Sequence, residues 1–185
     1  MVSTNNLKNG MTVKIDGELW RVDYFQHVKP GKGGAFVRTT LKGVQNGKTL
    51  DRTFRAGEEL EQAILTKRPL QYLYREGDSY VFMDTEHFEQ TMVPDEALTD
   101  ATRWIKEGDT IELVFHDEQV VDVNLMASVE LEVADTEPGI QGDRVSGATK
   151  PATLETGATV QVPLFINVGE RIKVDTRSGE YISRA

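Results

Sequence analysis

The chain of 185 residues has no cysteine, three histidines and six prolines. The lack of cysteine excludes disulfides, thiolate zinc sites and thiol nucleophiles, and it fits a reducing compartment. His27, His87 and His116 lack the short spacing of histidine metal ligands, so we predict no metal site and no cofactor. No apolar run approaches the roughly 20 residues that span a bilayer, and the first residues do not form a signal peptide. We therefore expect a soluble, cytoplasmic protein with no membrane partner.

Positive charge is also scarce, because 21 Lys and Arg residues face 30 Asp and Glu residues, for a net charge of −9. Such a chain is a poor general coat for RNA or DNA, since non-specific affinity depends on cations that replace condensed counterions. The charge is uneven along the sequence. Residues 1–64 hold ten bases and seven acids (+3), residues 65–128 five and fourteen (−9), and residues 129–185 six and nine (−3). The first block is therefore the candidate for contacts with phosphate.

Short runs of alternating polarity, separated by turns, dominate the sequence and predict β-strands. The turn Gln45-Asn46-Gly47-Lys48 carries Asn-Gly between two such runs, which is a strong hairpin signal. Only Gly57–Leu65 and Pro94–Thr102 are predicted as short helices. Strands this short, in blocks of about 60 residues, favour three small barrels over one large sandwich. We predict an all-β fold with domains at residues 1–64, 65–128 and 129–185.

The most informative segment joins two strand-like runs and reads Lys29-Pro30-Gly31-Lys32-Gly33-Gly34. Glycine permits positive φ and Pro30 stiffens the loop entry, so the segment is typical of a hairpin tip. Lys32 has no bulky neighbour, and we expect it to project from the tip. The phosphate-loop pattern G-x-x-x-x-G-K-[ST] and the dinucleotide pattern G-x-G-x-x-G are both absent. An ordinary mobile hairpin is the alternative interpretation.

Several separated motifs resemble the bacterial elongation factor P family, in the family's order. They are the tip at residues 29–36, the third-block segments 142–158 and 162–165, and the run 172–181 near the end. The resemblance implies an N-terminal SH3-like (KOW-type) barrel followed by two OB-fold barrels, in an L-shaped arrangement like a tRNA. It also implies a translation factor that is not an enzyme and has no catalytic residues. We expect it to act as a monomer.

The resemblance further implies binding to the ribosome, both rRNA and ribosomal proteins, between the peptidyl-tRNA and exit sites, and relief of stalling at consecutive prolines. Proline is a poor partner in peptide transfer because its secondary amine and fixed φ restrict the reacting geometry. We expect Lys32, on an arm with a reach of about 20 Å, to contact the CCA end of the peptidyl-tRNA. The matching family residue carries a post-translational extension: β-lysyl, aminopentanol, or a sugar where the tip is arginine. A modifying enzyme that acts on Lys32 is therefore an expected partner.

Further residues are candidates for contact with tRNA or rRNA. In the first block the candidates are basic side chains that could meet phosphates, with a solvated surface as the alternative for each: Lys29, Arg38, Lys42, Lys48, Arg52 and Arg55. In the third block the resemblance implies contacts at Asp143, Arg144, Tyr181 and Arg184. Many relatives have threonine where this chain has Arg144, which puts a threonine contact in doubt but leaves a side chain suited to phosphate.

Other functions stay open at this point. One is a related elongation factor P-like paralogue, although Gly31-Lys32-Gly33 followed by Ala35-Phe36 favours the main family. Another is a module that binds single-stranded RNA through OB barrels, which predicts aromatic platforms in a basic groove, whereas the second and third blocks are acidic. A glycosidase-like enzyme has the least support, because nothing in the sequence frames paired carboxylates in a pocket.

Overall fold

The computed structural model describes residues 1–139 and 148–185. Within these ranges sixteen strands form three sheets, and the all-β prediction is confirmed. The remaining elements are the helix α1 (Asp95–Leu98) and 3-10 turns at Thr4–Asn6 and Thr99–Arg103. The predicted helix at Pro94–Thr102 corresponds to α1 and the 3-10 turn that follows it. None of the helices in the described residues is long and apolar enough to cross a membrane.

The first sheet has six strands in the order β1-β6-β2-β3-β4-β5. Their bounds are β1 (Val2–Ser3), β2 (Thr12–Ile15), β3 (Glu18–Val28), β4 (Phe36–Gly43), β5 (Thr49–Arg55) and β6 (Glu59–Ala63). Alternation along β4 buries Val37, Thr39 and Leu41, while Arg38 and Lys42 remain exposed. Val37 and Leu41 meet Val13 and Val22 in one core. The residues between β4 and β5 form the turn that Asn46-Gly47 predicts.

The predicted helix at Gly57–Leu65 is wrong, because these residues contain β6. Leu60 and Ala63 are buried three positions apart, a spacing that imitates one face of a helix. The strand forms instead because β6 pairs with β1 on one side and with β2 on the other. Pairing with these distant strands outweighs the local pattern.

The second and third sheets have five strands each and share one strand order. The second sheet runs β9-β8-β7-β10-β11 and the third runs β14-β13-β12-β15-β16. The bounds are β7 (Thr66–Glu76), β8 (Ser79–Asp84), β9 (Gln90–Pro94), β10 (Thr110–His116), β11 (Gln119–Asn124), β12 (Ser128–Thr136), β13 (Thr149–Leu154), β14 (Thr159–Pro163), β15 (Arg171–Asp175) and β16 (Tyr181–Arg184). In the third sheet the outer strands β14 and β16 also come close to each other, so the sheet curls toward a barrel.

The chain divides into two compact units. The first comprises Met1–Arg68 and Leu113–Asp122, and the second comprises Pro69–Glu112 and Val123–Ala185. In the first unit, Val114 and Val121 of the β10–β11 hairpin pack with Leu19 and Ala63. The division into domains at residues 1–64, 65–128 and 129–185 stays a prediction.

Within the second unit, Trp104 ties the segment after the 3-10 turn to the third barrel. Its side chain is 1% exposed and packs in the core of that barrel. The neighbouring Arg103 carbonyl accepts a hydrogen bond from the Thr156 hydroxyl at 2.5 Å. Lys106 Nζ lies 3.4 Å from Glu155 Oε1. These contacts explain why the third barrel and most of the second sheet belong to one unit.

Candidate nucleic-acid interface

Strands β3 and β4 form a long hairpin that carries the lysine loop. They pair from Trp20 opposite Gly43 to Val28 opposite Phe36, with a register shift between Val22 and Tyr24. Before the shift β3 contributes Trp20 and Val22 to the core, and after it no residue of β3 is fully buried. The Phe25 and His27 rings meet edge to face at 5.6 Å on this outer part. The outer half of the hairpin is therefore an arm with little cover from the rest of the barrel.

The loop Lys29–Ala35 closes the arm, and its first six residues are exposed. Gly33 has a φ of +98°, a conformation that side-chain-bearing residues rarely adopt. A Cβ added at Gly31, Gly33 or Gly34 would meet no atom within 4 Å, so the backbone around Lys32 stands in open space. Within the described ranges Lys32 has no ion-pair partner. The structure thus leaves its ammonium group available to another molecule, as the sequence predicts.

The segment that forms the outer arm and the turn after β4 carries basic side chains and no acidic ones. From Tyr24 to Leu50 the sequence contains Lys29, Lys32, Arg38, Lys42 and Lys48 but no Asp or Glu. Such a stretch has a local charge of +5 in a protein whose total is −9. The positive potential needed to attract phosphate is therefore concentrated on one hairpin and the turn that follows it.

Three of the predicted contact residues, Arg38, Lys42 and Arg55, share the outward face of the first sheet. Arg38 pairs with Thr53 and Phe36 pairs with Arg55, and paired or alternate residues point to the same side. The Arg38 guanidinium lies 5.4 Å from the centre of the Phe36 ring. This stacking leaves the edges of the guanidinium available to donate hydrogen bonds.

Near Lys42, the side chains of Arg21 and Asp23 form an ion pair at 2.8 Å. The hydrogen bond from Arg21 holds the pKa of Asp23 below its ordinary value, and the charge of Lys42 adds to the effect. The same hydrogen bond raises the pKa of Arg21. Asp23 is therefore already engaged, and it does not neutralise Arg38 or Arg55.

Arg52 is not part of this group. It pairs with the buried Thr39 and shares the other face of β5 with Phe54, whose ring centre lies 5.4 Å from its guanidinium. Its Nη1 atom lies 3.6 Å from Asp16 Oδ2 at the β2–β3 turn. Of the other candidates, Lys29 is exposed on the loop and Lys48 is exposed in the β4–β5 turn.

The third-barrel candidates have different surroundings. Tyr181 is half-buried and packs against the barrel core. Arg184 is exposed, with its guanidinium 4.6 Å from the centre of the Phe165 ring and 3.5 Å from Glu170 Oε1. Asp143 and Arg144 lie outside the described residues.

A shallow groove on the outward face of the first sheet was missed by sequence reasoning. It has a volume of about 300 Å³ and lies across β3, β4 and β5. Its outward-facing residues combine an aromatic ring, an arginine, an acid and polar side chains: Tyr24, Gln26, Arg38, Thr40, Asp51 and Thr53. No cluster of three or more His, Asp or Glu side chains that could hold a metal ion occurs in residues 1–139 and 148–185.

Solved structures with the same fold indicate the class of protein. The chain is similar to eukaryotic translation initiation factor 5A from Methanococcus jannaschii, with a TM-score of 0.54 and 25% identity over 66% of this chain and 92% of that one. A translation initiation factor eIF-5A family protein from Naegleria fowleri matches with a TM-score of 0.55 over 67% of this chain and 96% of that one. At 16% identity the second match shows the fold alone. The first match relates this chain to a translation factor, and both matches show a shared fold.

Family models and relatives narrow this class. The KOW-like domain of elongation factor P matches residues 3–60, its OB domain residues 65–123, and its C-terminal domain residues 129–184. Proteins called elongation factor P are similar over all of this chain: 57% identity in Acidothermus cellulolyticus (99% of the relative), 56% in Salinispora arenicola and 53% in Microcystis aeruginosa (100% of each relative). The chain therefore belongs to the elongation factor P family. Its function is that of a translation elongation factor. The family is one of translation factors and not of enzymes.

Proposed function

We propose that the protein binds the ribosome between the peptidyl-tRNA and exit sites and uses the Lys32 arm to hold the CCA end of the peptidyl-tRNA. Peptide-bond formation between consecutive prolines is the step that this contact accelerates. The observation that carries the proposal is the placement of Lys32, unpaired among the described residues, at the exposed end of the β3–β4 hairpin. The membership in the family and its place in translation support the same conclusion.

Reach and charge suit this task. From Gln26 to Lys32 the extended chain covers at most about 20 Å. The lysine ammonium at its end is a compact, flexible charge that can contact phosphate or ribose oxygens. No acidic residue lies between Tyr24 and Leu50, so nothing on the arm itself competes for the ammonium group.

The proposed mechanism is positioning and involves no acid–base chemistry by the factor. Holding two reacting groups in an attack-competent geometry accelerates a reaction without any proton transfer by the protein. Proline benefits most because its fixed φ and secondary amine make the productive geometry rare. A group added to Lys32 by a modifying enzyme would extend the reach and add hydrogen-bond donors. The open space around the loop leaves room for such a group.

Contacts along the rest of the first barrel complete the proposal. Arg38, Lys42 and Arg55 would meet phosphates of tRNA or rRNA from the outward face, and Lys29 from the loop. Arg184, Tyr181, Asp143 and Arg144 would contact RNA from the third barrel. The proposal implies a monomeric factor that works with the ribosome in the cytoplasm.

The test is a reconstituted translation reaction that makes a peptide with three consecutive prolines and, separately, one without proline. Lys32→Ala should lose most of the stimulation on the proline template and leave the other template unchanged. Lys8→Ala is the matched control, because it removes an exposed loop lysine of the same barrel that is not among the predicted RNA contacts. Equal stimulation by Lys32→Ala and the native protein would refute the proposal.

A further inference from the structure

We propose that the groove on the outward face of β3, β4 and β5 binds one unpaired nucleotide of RNA, with its base stacked on Tyr24 and its phosphate on Arg38. This inference rests on the proposed function, since it assumes that RNA lies along the first barrel. It adds a second contact to that of Lys32. At about 3.3 Å per residue, the eight residues from Tyr24 to Lys32 place the two contacts at most about 26 Å apart.

The register shift in β3 creates this groove. Trp20, Val22 and Tyr24 alternate, and a regular strand would direct all three toward the core. Asp23 is the extra residue in the pairing with β4, because Val22 pairs with Leu41 and Tyr24 with the next residue, Thr40. The irregularity turns Tyr24 outward, where it is 55% exposed. Bulges that redirect a side chain are frequent next to functional sites.

Eight residues line the groove, and six of them form two rows on the outward face of the three strands. One row is Tyr24, Thr40 and Asp51, and the other is Gln26, Arg38 and Thr53, as the pairing of the strands requires. The volume of about 300 Å³ is at the lower end of the range for small-ligand sites. It suits a single nucleotide better than a large ligand.

The chemistry of the two rows matches a nucleotide. Within residues 1–139 and 148–185 the Tyr24 ring has no ring partner or hydrogen bond, and an exposed aromatic ring of this kind is a platform for an unstacked base. Arg38 sits beside it with a guanidinium that can hold phosphate bidentately. The combination of a stacking ring and a phosphate-binding group favours RNA over a protein segment. The bases Arg38, Lys42 and Arg55 on this face outnumber the acid Asp51, which favours RNA further.

Asp51 gives the groove a preference among bases. Its Oδ1 accepts a hydrogen bond from the Thr40 hydroxyl at 2.9 Å, which fixes the carboxylate in the groove. A carboxylate accepts hydrogen bonds from the exocyclic amino groups of cytosine, adenine or guanine, and it repels the carbonyl edges of uracil. The groove is therefore expected to prefer a base that carries an amino group.

A crosslinking experiment identifies the occupant directly. The factor with native Lys32 and Tyr24→p-benzoylphenylalanine is bound to ribosomes that hold peptidyl-prolyl-tRNA, irradiated, and the crosslinked partner is mapped. Tyr74→p-benzoylphenylalanine is the control, since Tyr74 has a similar exposure of 44% on the second sheet. We expect one RNA nucleotide with an amino-bearing base as the main partner of position 24. A ribosomal protein as the main partner, a uracil, or no crosslink above the position-74 control would overturn the inference.

Binding measurements provide a second readout. Tyr24→Ala should raise the factor concentration for half-maximal stimulation by roughly 5- to 150-fold, as expected for the loss of one base stack. Tyr24→Phe keeps the ring and should stay close to the native value. Equal effects of the two variants would contradict stacking. Lys32 is intact in both variants, so such a result would not bear on the role of the arm tip. The Lys32→Ala experiment tests that role separately.

Discussion

Replacement of Gly33 by alanine tests how far the loop conformation matters for the presentation of Lys32. Gly33 has a φ of +98°, and it is exposed with no atom within 4 Å of an added Cβ. Alanine therefore introduces no clash with neighbours, and its effect is confined to the backbone. Gly31 is the matched control for the sign of φ. It is also exposed and open, but it does not have a positive φ.

The magnitude follows from the cost of a positive φ. A residue with a Cβ loses about 1–2 kcal/mol in the left-handed region relative to its preferred conformations. Since 1.4 kcal/mol is tenfold in an equilibrium constant, Gly33→Ala should reduce the population of the present loop conformation by about 5- to 30-fold. The barrel core does not include the loop, so global stability should change little.

The assay compares the Gly33→Ala and Gly31→Ala proteins in the synthesis of a peptide with three consecutive prolines. Gly33→Ala should need about 5- to 30-fold more factor for half-maximal stimulation, while Gly31→Ala should behave like the native protein. Thermal unfolding monitored by circular dichroism should show the same transition for all three. If both variants stimulate equally well, the loop conformation in the structure is not the active one and the reasoning fails.

Three further predictions concern the stability of the second unit. Trp104→Ala should lower the free energy of unfolding by about 3–5 kcal/mol in urea titrations, because it empties a buried core position; a loss below about 1 kcal/mol would contradict that packing. Lys150→Met should cost about 1–3 kcal/mol in the same titrations, because the 5% exposed Lys150 donates a hydrogen bond to the Glu137 carbonyl. Lys173→Met, at a half-buried position of β15, should cost under about 0.5 kcal/mol; equal effects would refute the role of the hydrogen bond. The backbone N–H groups of residues 178 and 177 donate hydrogen bonds to the Asp175 carboxylate and hold its pKa below its ordinary value. A depressed carboxylate pKa stabilises the fold above about pH 4 and loses that effect as the pH falls through the folded-state pKa. Asp175→Asn should therefore flatten the fall in melting temperature below about pH 4; an unchanged slope would contradict it.

Local sequence signals were sufficient for the fold class and for the loop. Alternating polarity identifies most strands, because each sheet buries one face. Asn46-Gly47 identifies the β4–β5 turn, and Gly47 indeed has a φ of +66°. The glycines around Lys32 likewise predict an exposed tip, because they leave no side chain to cover it. These features depend on neighbouring residues in the chain, so sequence alone can reveal them.

Strands that depend on distant partners were harder to predict. The residues of β6 read as a helix because its two buried side chains are three positions apart. In β13, Pro151 interrupts a strand pattern and Lys150 occupies an inward position. The strand forms there because the pairing with β12 ends at Ala152, so Pro151 lies beyond that ladder. Neither pairing can be inferred from the local sequence.

The groove was missed for a related reason. Its two rows exist only once the register of three strands is known. Regular alternation would also have placed Tyr24 in the core beside Val22, and only the extra residue Asp23 turns it outward. The register of the strands also divides the basic candidates into two groups, because Arg52 lies on the opposite face of the sheet from Arg38 and Arg55. The RNA contacts expected of Asp143 and Arg144 stay predictions.

The most direct test of the central claim is a structure of the protein on a ribosome stalled between consecutive prolines with peptidyl-prolyl-tRNA in place. We predict that Lys32, or the group added to it, lies within hydrogen-bonding distance of the terminal CCA nucleotides of that tRNA. A bound factor whose β3–β4 tip points away from the CCA end, or contacts only ribosomal protein, would contradict it.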